Sequence, residues 1–284
     1  MSEFLGIIFA VVAAIGWGVY LTPMKLAKGV DPMSYQAMMT PFILITTVLA
    51  CAILGFSFDI SWLGILGGLI WGAGIFCFTR AVKMAGLAMA SPVMVSGVMV
   101  LSFLWGLFFF GEKFGQLHLA FGAISMLVAG AFLIGTVHGK KRTSKFTHGL
   151  VFAALGGVIF GSYLVPMNAS GLALEDTLFS MSIGIVLTTW LIFFSQRAPF
   201  QKQFIIHAAT TGTIWNIANI SSLFAVSIAG LALAFPITQL GVIPPVIIGI
   251  LFFKELKEKK QLLKVILGTL ILVAGAMLLG FSKA

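Results

Sequence analysis

Ten apolar runs of roughly 20 residues follow one another along the chain, separated by short polar stretches, and no other feature narrows the possible folds so far. A helix of about 20 residues crosses about 30 Å of hydrocarbon, where every backbone N–H and C=O must find its partner within the chain. The runs cover residues 4–24, 33–56, 62–82, 87–110, 117–137, 149–169, 178–195, 204–229, 231–253 and 262–281. Transmembrane barrels, built from alternating strands of about ten residues, do not fit this pattern. Composition agrees, since 60% of the residues are hydrophobic, 9% are charged and the mean hydropathy is +1.12, against about a quarter charged in soluble domains. The first run opens at Phe4 without a basic segment before it, so it reads as a span and not as a cleavable signal peptide.

The halves of the chain repeat each other. Residues 6–24 read GIIFAVVAAIGWGVYLTPM and residues 149–167 read GLVFAALGGVIFGSYLVPM, an offset of 143. At an offset of 144, Trp71 pairs with Trp215, AVKMAGLAMASP with AVSIAGLALAFP, and Gly97 with Gly241. LVAGAFLIG at Leu127 returns as LVAGAMLLG at Leu272. Three segments in one order point to a duplication, with a first five-helix repeat at 1–137, a basic linker at 138–148 and a second repeat at 149–284. Five is odd, so the second copy enters the membrane from the opposite side. The expected fold is therefore an all-α polytopic membrane protein of ten transmembrane helices, arranged as two five-helix inverted repeats. Two oppositely directed halves supply two nearly degenerate conformations, one open to each side, which is the basis of alternating access.

The net charge of +9 would suggest nucleic acid in a soluble protein, but here it lies in the loops and reads as an orientation signal, with no nucleic-acid partner expected. If successive loops alternate sides, Lys113 and Lys283 fall on one side and the other 15 of the 17 Lys and Arg residues on the opposite one. The positive-inside rule then puts the linker HGKKRTSKFTH in the cytoplasm and both termini outside, in the cell membrane of a prokaryote.

The segments GWGVYLTPMK at Gly16, DPMSYQAMM at Asp31, WNIANISSLFAVSIAGLALAFPITQLGV at Trp215 and FFKE at Phe252 resemble the drug/metabolite transporter superfamily, with its EamA-like fold. Within it they are similar to the glucose/ribose porter and transmembrane-144-like group, chiefly through the asparagines of the eighth span and the PITQLGV run. The resemblance implies a sugar transporter and, for bacterial members, proton linkage. Pro244 and Pro245 depart from the pattern, and two prolines in the middle of the ninth span should kink it.

Polar side chains kept inside spans are the first candidates for a site. Asn216 and Asn219 are three residues apart on one helix face, beside Trp215. Their amides suit sugar hydroxyls, and Trp215 or Trp71 could stack on the apolar face of a pyranose. The competing reading makes the asparagines glue between helices and the tryptophans packing residues. Further substrate-binding candidates are Gln239 and Thr238 behind Pro236, the repeat-related Tyr20 and Tyr163, and Gln36 one turn inside the second span. Glu112 and Glu255, which end the repeat-related fourth and ninth spans, are candidates for gating or coupling together with His207, Pro244 and Pro245. Arg80 reads as a cation snorkelling to the cytoplasmic surface.

All eight acids lie at span ends or in loops, so no midplane carboxylate offers a proton relay. Cys51 and Cys77 sit inside apolar runs and indicate neither a disulfide nor a metal site. No metalloprotease, nucleophile-elbow or phosphate-cradling motif occurs, so no enzyme activity, metal or cofactor is expected. The leading expectation is a secondary transporter that takes up a small neutral hydroxylated solute, a monosaccharide such as glucose or ribose, by alternating access in the lipid bilayer. Homodimerisation is left open. Export of amino acids or other metabolites is the alternative, and a membrane scaffold or scramblase stands behind it.

Overall fold

A computed structural model describes residues 3–111, 113–137, 144–229, 234, 237, 238 and 240–282. The described residues form helices, and nine segments among them are long and apolar enough to cross a membrane, with a shorter apolar helix at Leu240–Leu251. The chain is a ten-helix polytopic membrane protein. The first span is two helices, α1 (Glu3–Val19) and α2 (Thr22–Leu26); α3 (Pro32–Leu54), α4 (Trp62–Ala85), α5 (Leu87–Leu104) and α6 (Leu117–Gly135) follow. The sixth span is again divided, into α7 (Ser144–Phe160) and α8 (Leu164–Ala169), and precedes α9 (Leu178–Ser195), α10 (Ile205–Ala229), α11 (Ile243–Leu251) and α12 (Lys259–Phe281).

The interruptions have local causes. Pro23 and Pro166 lack the N–H that would bind the carbonyl four residues earlier, and each follows a non-helical residue, Leu21 and Tyr163, by two or three positions. The ends are marked as well. Asp31 caps α3 by accepting from the N–H groups of Met33 and Ser34, and Ser61 caps α4 through Gly64. The turns after the fourth and ninth spans both place a residue at positive φ, Gly111 at 61° and Lys254 at 49°.

The helix of the sixth span begins at Ser144, within the basic stretch 138–148, of which residues 138–143 lie outside the described residues. Around Pro244 and Pro245 the described part of the ninth span changes from a 3₁₀ turn at Leu240–Val242 to α-helix at Ile243. The two prolines occupy the first turn of α11, and the carbonyls four residues before them, of Leu240 and Gly241, lie in that 3₁₀ turn, which receives no helical bond from them.

The closest helix pairings run between the halves: α1 with α10, α4 with α7 and α9, α3 with α10, and α6 with α12. Glycines bring the backbones together, as small residues do where no hydrophobic effect drives helices to associate. Gly68 of α4 faces Met181, Gly184 and Ile185 of α9, while Gly212 of α10 faces Met39, Phe42 and Ile43 of α3. A Cβ on Gly212 would stand 2.6 Å from the Met39 carbonyl oxygen. Gly130 and Gly268 join α6 to α12, and Gly275 meets Ala123 one or two turns away on the same pair.

Polar contacts gather at two ends. Lys83 Nζ donates to the Val30 carbonyl, the Asp31 N–H to Gln201 Oε1, and Lys25 pairs with Glu255. At the opposite end the Ser57 N–H donates to Asp176, the Ser61 N–H to Ser180, and the Gln116 N–H to the Ser282 carbonyl.

Candidate binding site at the meeting of the halves

The largest buried cluster lies where α3, α4 and α10 meet the breaks of the first and sixth spans. It contains Tyr20, Tyr35, Trp71, Phe78, Phe160 and Trp215. Trp71 and Trp215 face each other with ring centroids 4.5 Å apart and planes at 59°. Trp71 also meets Phe160 edge-on at 5.5 Å, and Tyr20 lies 6.5 Å from Phe78. The two repeat-related tryptophans thus touch, each nearly excluded from solvent.

The two asparagines make different contacts. The Asn216 amide donates to Thr46 Oγ1 at 2.9 Å and accepts from Thr47 Oγ1 at 3.4 Å, so it joins α10 to α3. Asn219 lies four residues beyond Trp215, on the same face of α10, and its side chain makes no hydrogen bond among the described residues. The Tyr20 hydroxyl is likewise unengaged there. Gln36 is fully buried; its Nε2 donates to the Gly72 carbonyl at 2.9 Å, next to Trp71, and its Oε1 has no partner. A buried acceptor without a donor is costly, and a hydroxyl group would satisfy it.

Other candidates lie apart. Tyr163 packs at the edge of the cluster between α7 and α8, and Thr238 is buried on the ninth span. Gln239 and Glu112 lie outside the described residues. His207 is in the first turn of α10, edge-on to Phe204, with a buried Nδ1 that has no partner. Pro244 packs against the last turn of α1, where a Cβ on Gly18 would be 2.7 Å away. Arg80 stacks on Phe76 and donates to Gln196 at the basic end. No cluster of three metal-ligating side chains occurs among the described residues.

Three features escaped the sequence reading. The Tyr35 hydroxyl joins Thr211 Oγ1 at 2.6 Å and the His207 carbonyl at 2.8 Å, fixing α10 one turn below Trp215. Thr40 meets Thr189 at 2.8 Å, and Thr188 donates to the Leu69 carbonyl. The doublets Thr46-Thr47 and Thr188-Thr189, 142 residues apart, were a visible signal that the second and seventh spans repeat as well. Lys25, by its place in the sequence one of the loop cations, is the ionic partner of Glu255.

A bundle of ten membrane-crossing helices, with a buried core of aromatic rings and uncharged amides, is the architecture of a polytopic membrane transport protein. The chain belongs to the family described as "Sugar transport protein", which it matches over residues 8–282. It is 31% identical to a "Putative sugar uptake protein" of Streptococcus pyogenes serotype M6, covering 78% of this chain and 80% of that one. A protein of the same description from Lactococcus lactis subsp. lactis is 28% identical over 98% of this chain and 99% of its own. A solved crystal structure shares the fold with a TM-score of 0.65 at 19% identity, covering 97% of both chains.

Proposed function

We propose that the protein carries a monosaccharide into a bacterial cell by alternating access, with the sugar held beside Trp71 and Trp215. Membership of the sugar transport family supports the substrate class, and the names of the bacterial relatives support uptake. The observation that carries the reading is the tryptophan pair with uncharged polar groups close by: Asn219 on the face of Trp215, and Gln36 bonded to the residue after Trp71. Indole faces stack on the apolar side of a sugar ring, while amides exchange donors and acceptors with its hydroxyls. Amino-acid export fits less well, because a carboxylate and an ammonium each need a counter-charge and no Asp, Glu, Lys or Arg is among the buried described residues.

The two halves act as inverted repeats. Met39, Phe42 and Ile43 lie 142 residues before Met181, Gly184 and Ile185, and Gly68 lies 144 before Gly212, so the two sets of contacts are the same contact in two copies. Gly130 with Gly268 becomes Gly275 with Ala123 under a shift of 145. A pair such as Trp71 with Trp215 maps onto itself, so both conformations keep it, while off-axis contacts are exchanged.

Thermal-shift titration of the purified protein with glucose, ribose, amino acids and nucleotide sugars tests the substrate class, since a ligand that binds only the folded state raises its midpoint. Stabilisation by a monosaccharide that is lost in Trp71→Ala and Trp215→Ala, and kept in the Phe variants, is expected. Stabilisation by amino acids alone would overturn the reading.

A further inference from the structure

An ion pair at the basic end closes a contact between three spans. Lys25 Nζ lies 2.8 Å from Glu255 Oε1, and 5.6 Å above the Phe253 ring. The same carboxylate accepts from the N–H groups of Leu87 and Ala88, each at 2.9 Å, in the first turn of α5. That turn leaves N–H groups without helical partners and carries the positive end of the helix dipole, so a carboxylate is favoured there. The Glu255 side chain is only 9% exposed. Its seat is made by two missing side chains: a Cβ on Gly86 would stand 2.6 Å from Oε2, and one on Gly249 2.8 Å from the same oxygen.

The partner that reaches this seat sits on the weakest element of the first span. α2 has five residues and is separated from α1 by Tyr20 and Leu21. Thr22 Oγ1, at its start, is buried without a hydrogen bond. Besides its chain connections, α2 packs chiefly against α10, and Lys25 supplies its ionic tie to the fourth and ninth spans.

We propose that Lys25 and Glu255 are the latch of a gate at the basic end: α2 swings on the break at Tyr20 and Leu21, and the carboxylate seated on α5 holds it shut. The proposal rests on the alternating-access reading above. Being off the axis, this contact is one that the two conformations do not share. The position equivalent to Lys25 in the second half is Asn168, so the corresponding pair at the other end cannot be ionic. The two gates are chemically unlike, and the charged one is at the basic end.

The test places spin labels at Lys28→Cys and Lys257→Cys, both exposed at that end, in the full chain with Cys51→Ala and Cys77→Ala, reconstituted in liposomes. Distances are compared for this parent and for Lys25→Met, Glu255→Gln and Lys25→Arg. Met and Gln should raise the ratio of long to short distances about tenfold, within the range of measured coupling between sites, and Arg should restore the parental distribution. Identical distributions in the parent, Lys25→Met and Glu255→Gln would overturn the latch. Thermal shift with glucose and ribose, run on the same variants, separates the two ideas. If distances respond while neither sugar binds or crosses, the latch stands and the sugar reading falls. If a sugar is carried while distances do not respond, the latch alone falls.

Discussion

Trp71 and Trp215 occupy the same position in the two halves of the chain, 144 residues apart, and their rings meet at 4.5 Å. On the proposed reading of the halves as inverted repeats, two residues related by their twofold rotation can touch only on its axis, so this contact would mark that axis. It also fixes what a solute there would encounter: aromatic faces with one unengaged amide and one unpartnered amide oxygen nearby.

The two asparagines should respond differently to mutation. Asn216→Leu removes the amide that bonds Thr46 and Thr47 across to α3 and should lower the thermal midpoint, by a hydrogen-bonding loss of about 0.6–2 kcal/mol, while sugar affinity is retained. Asn219→Leu should leave the midpoint unchanged and weaken sugar binding about tenfold or more, because the amide makes no hydrogen bond among the described residues. Equal loss of affinity in both variants would place Asn216 at the substrate.

Gly68→Val and Gly212→Val should both be damaging, since each drives a branched side chain into the backbone of the facing helix. Overpacking costs about 1–3 kcal/mol in ordinary cores, and here the obstacle is a carbonyl and not a movable side chain. The yield of monodisperse protein in detergent is the measurement. Normal yield of either variant would mean the helix pair can separate.

Orientation is tested by impermeant thiol reagents on intact cells. Lys113→Cys, exposed at one end, should be labelled from outside, and Lys257→Cys, exposed at the other, should not. The reverse pattern would invert the protein in the membrane.

Energy coupling has two expectations to weigh. With the eight acids at span ends or in loops, facilitated diffusion is the simpler mechanism, whereas the resemblance to glucose/ribose porters implies proton linkage. In proteoliposomes with equal sugar on both sides, an imposed inward proton gradient should cause no accumulation of labelled sugar. Uphill accumulation abolished by a protonophore would establish coupling, and Glu112, Glu255 and His207 would be the first positions to substitute.

The spans were legible because hydrocarbon thickness imposes their length, and Trp71 and Trp215 stood out because the repeat pairs them. Helix ends were less legible. Hydropathy reports where hydrocarbon begins, whereas α7 starts at Ser144 and α12 at Lys259, turns that lie outside the apolar runs. The division of Asn216 from Asn219 was invisible for a different reason. Residues three apart share a face only broadly, and the rotation of α10 against α3 decides which amide meets Thr46 and Thr47. The ionic partner of Glu255 was hidden because loop charges 230 residues apart carry no mark of proximity in the sequence.

The preference of α4 for α7 and α9, and of α10 for α1 and α3, bears on how the chain is made. When the ribosome has delivered the first five spans, the glycine face of α4 and the threonines of α3 have no partner, because the helices that cover them have yet to be synthesised. Insertion and assembly are therefore separate events in this protein. The early helices must wait in the bilayer, threonine hydroxyls turned back on their own carbonyls as Thr46 is on Phe42, until the eighth span arrives to knit the two halves together.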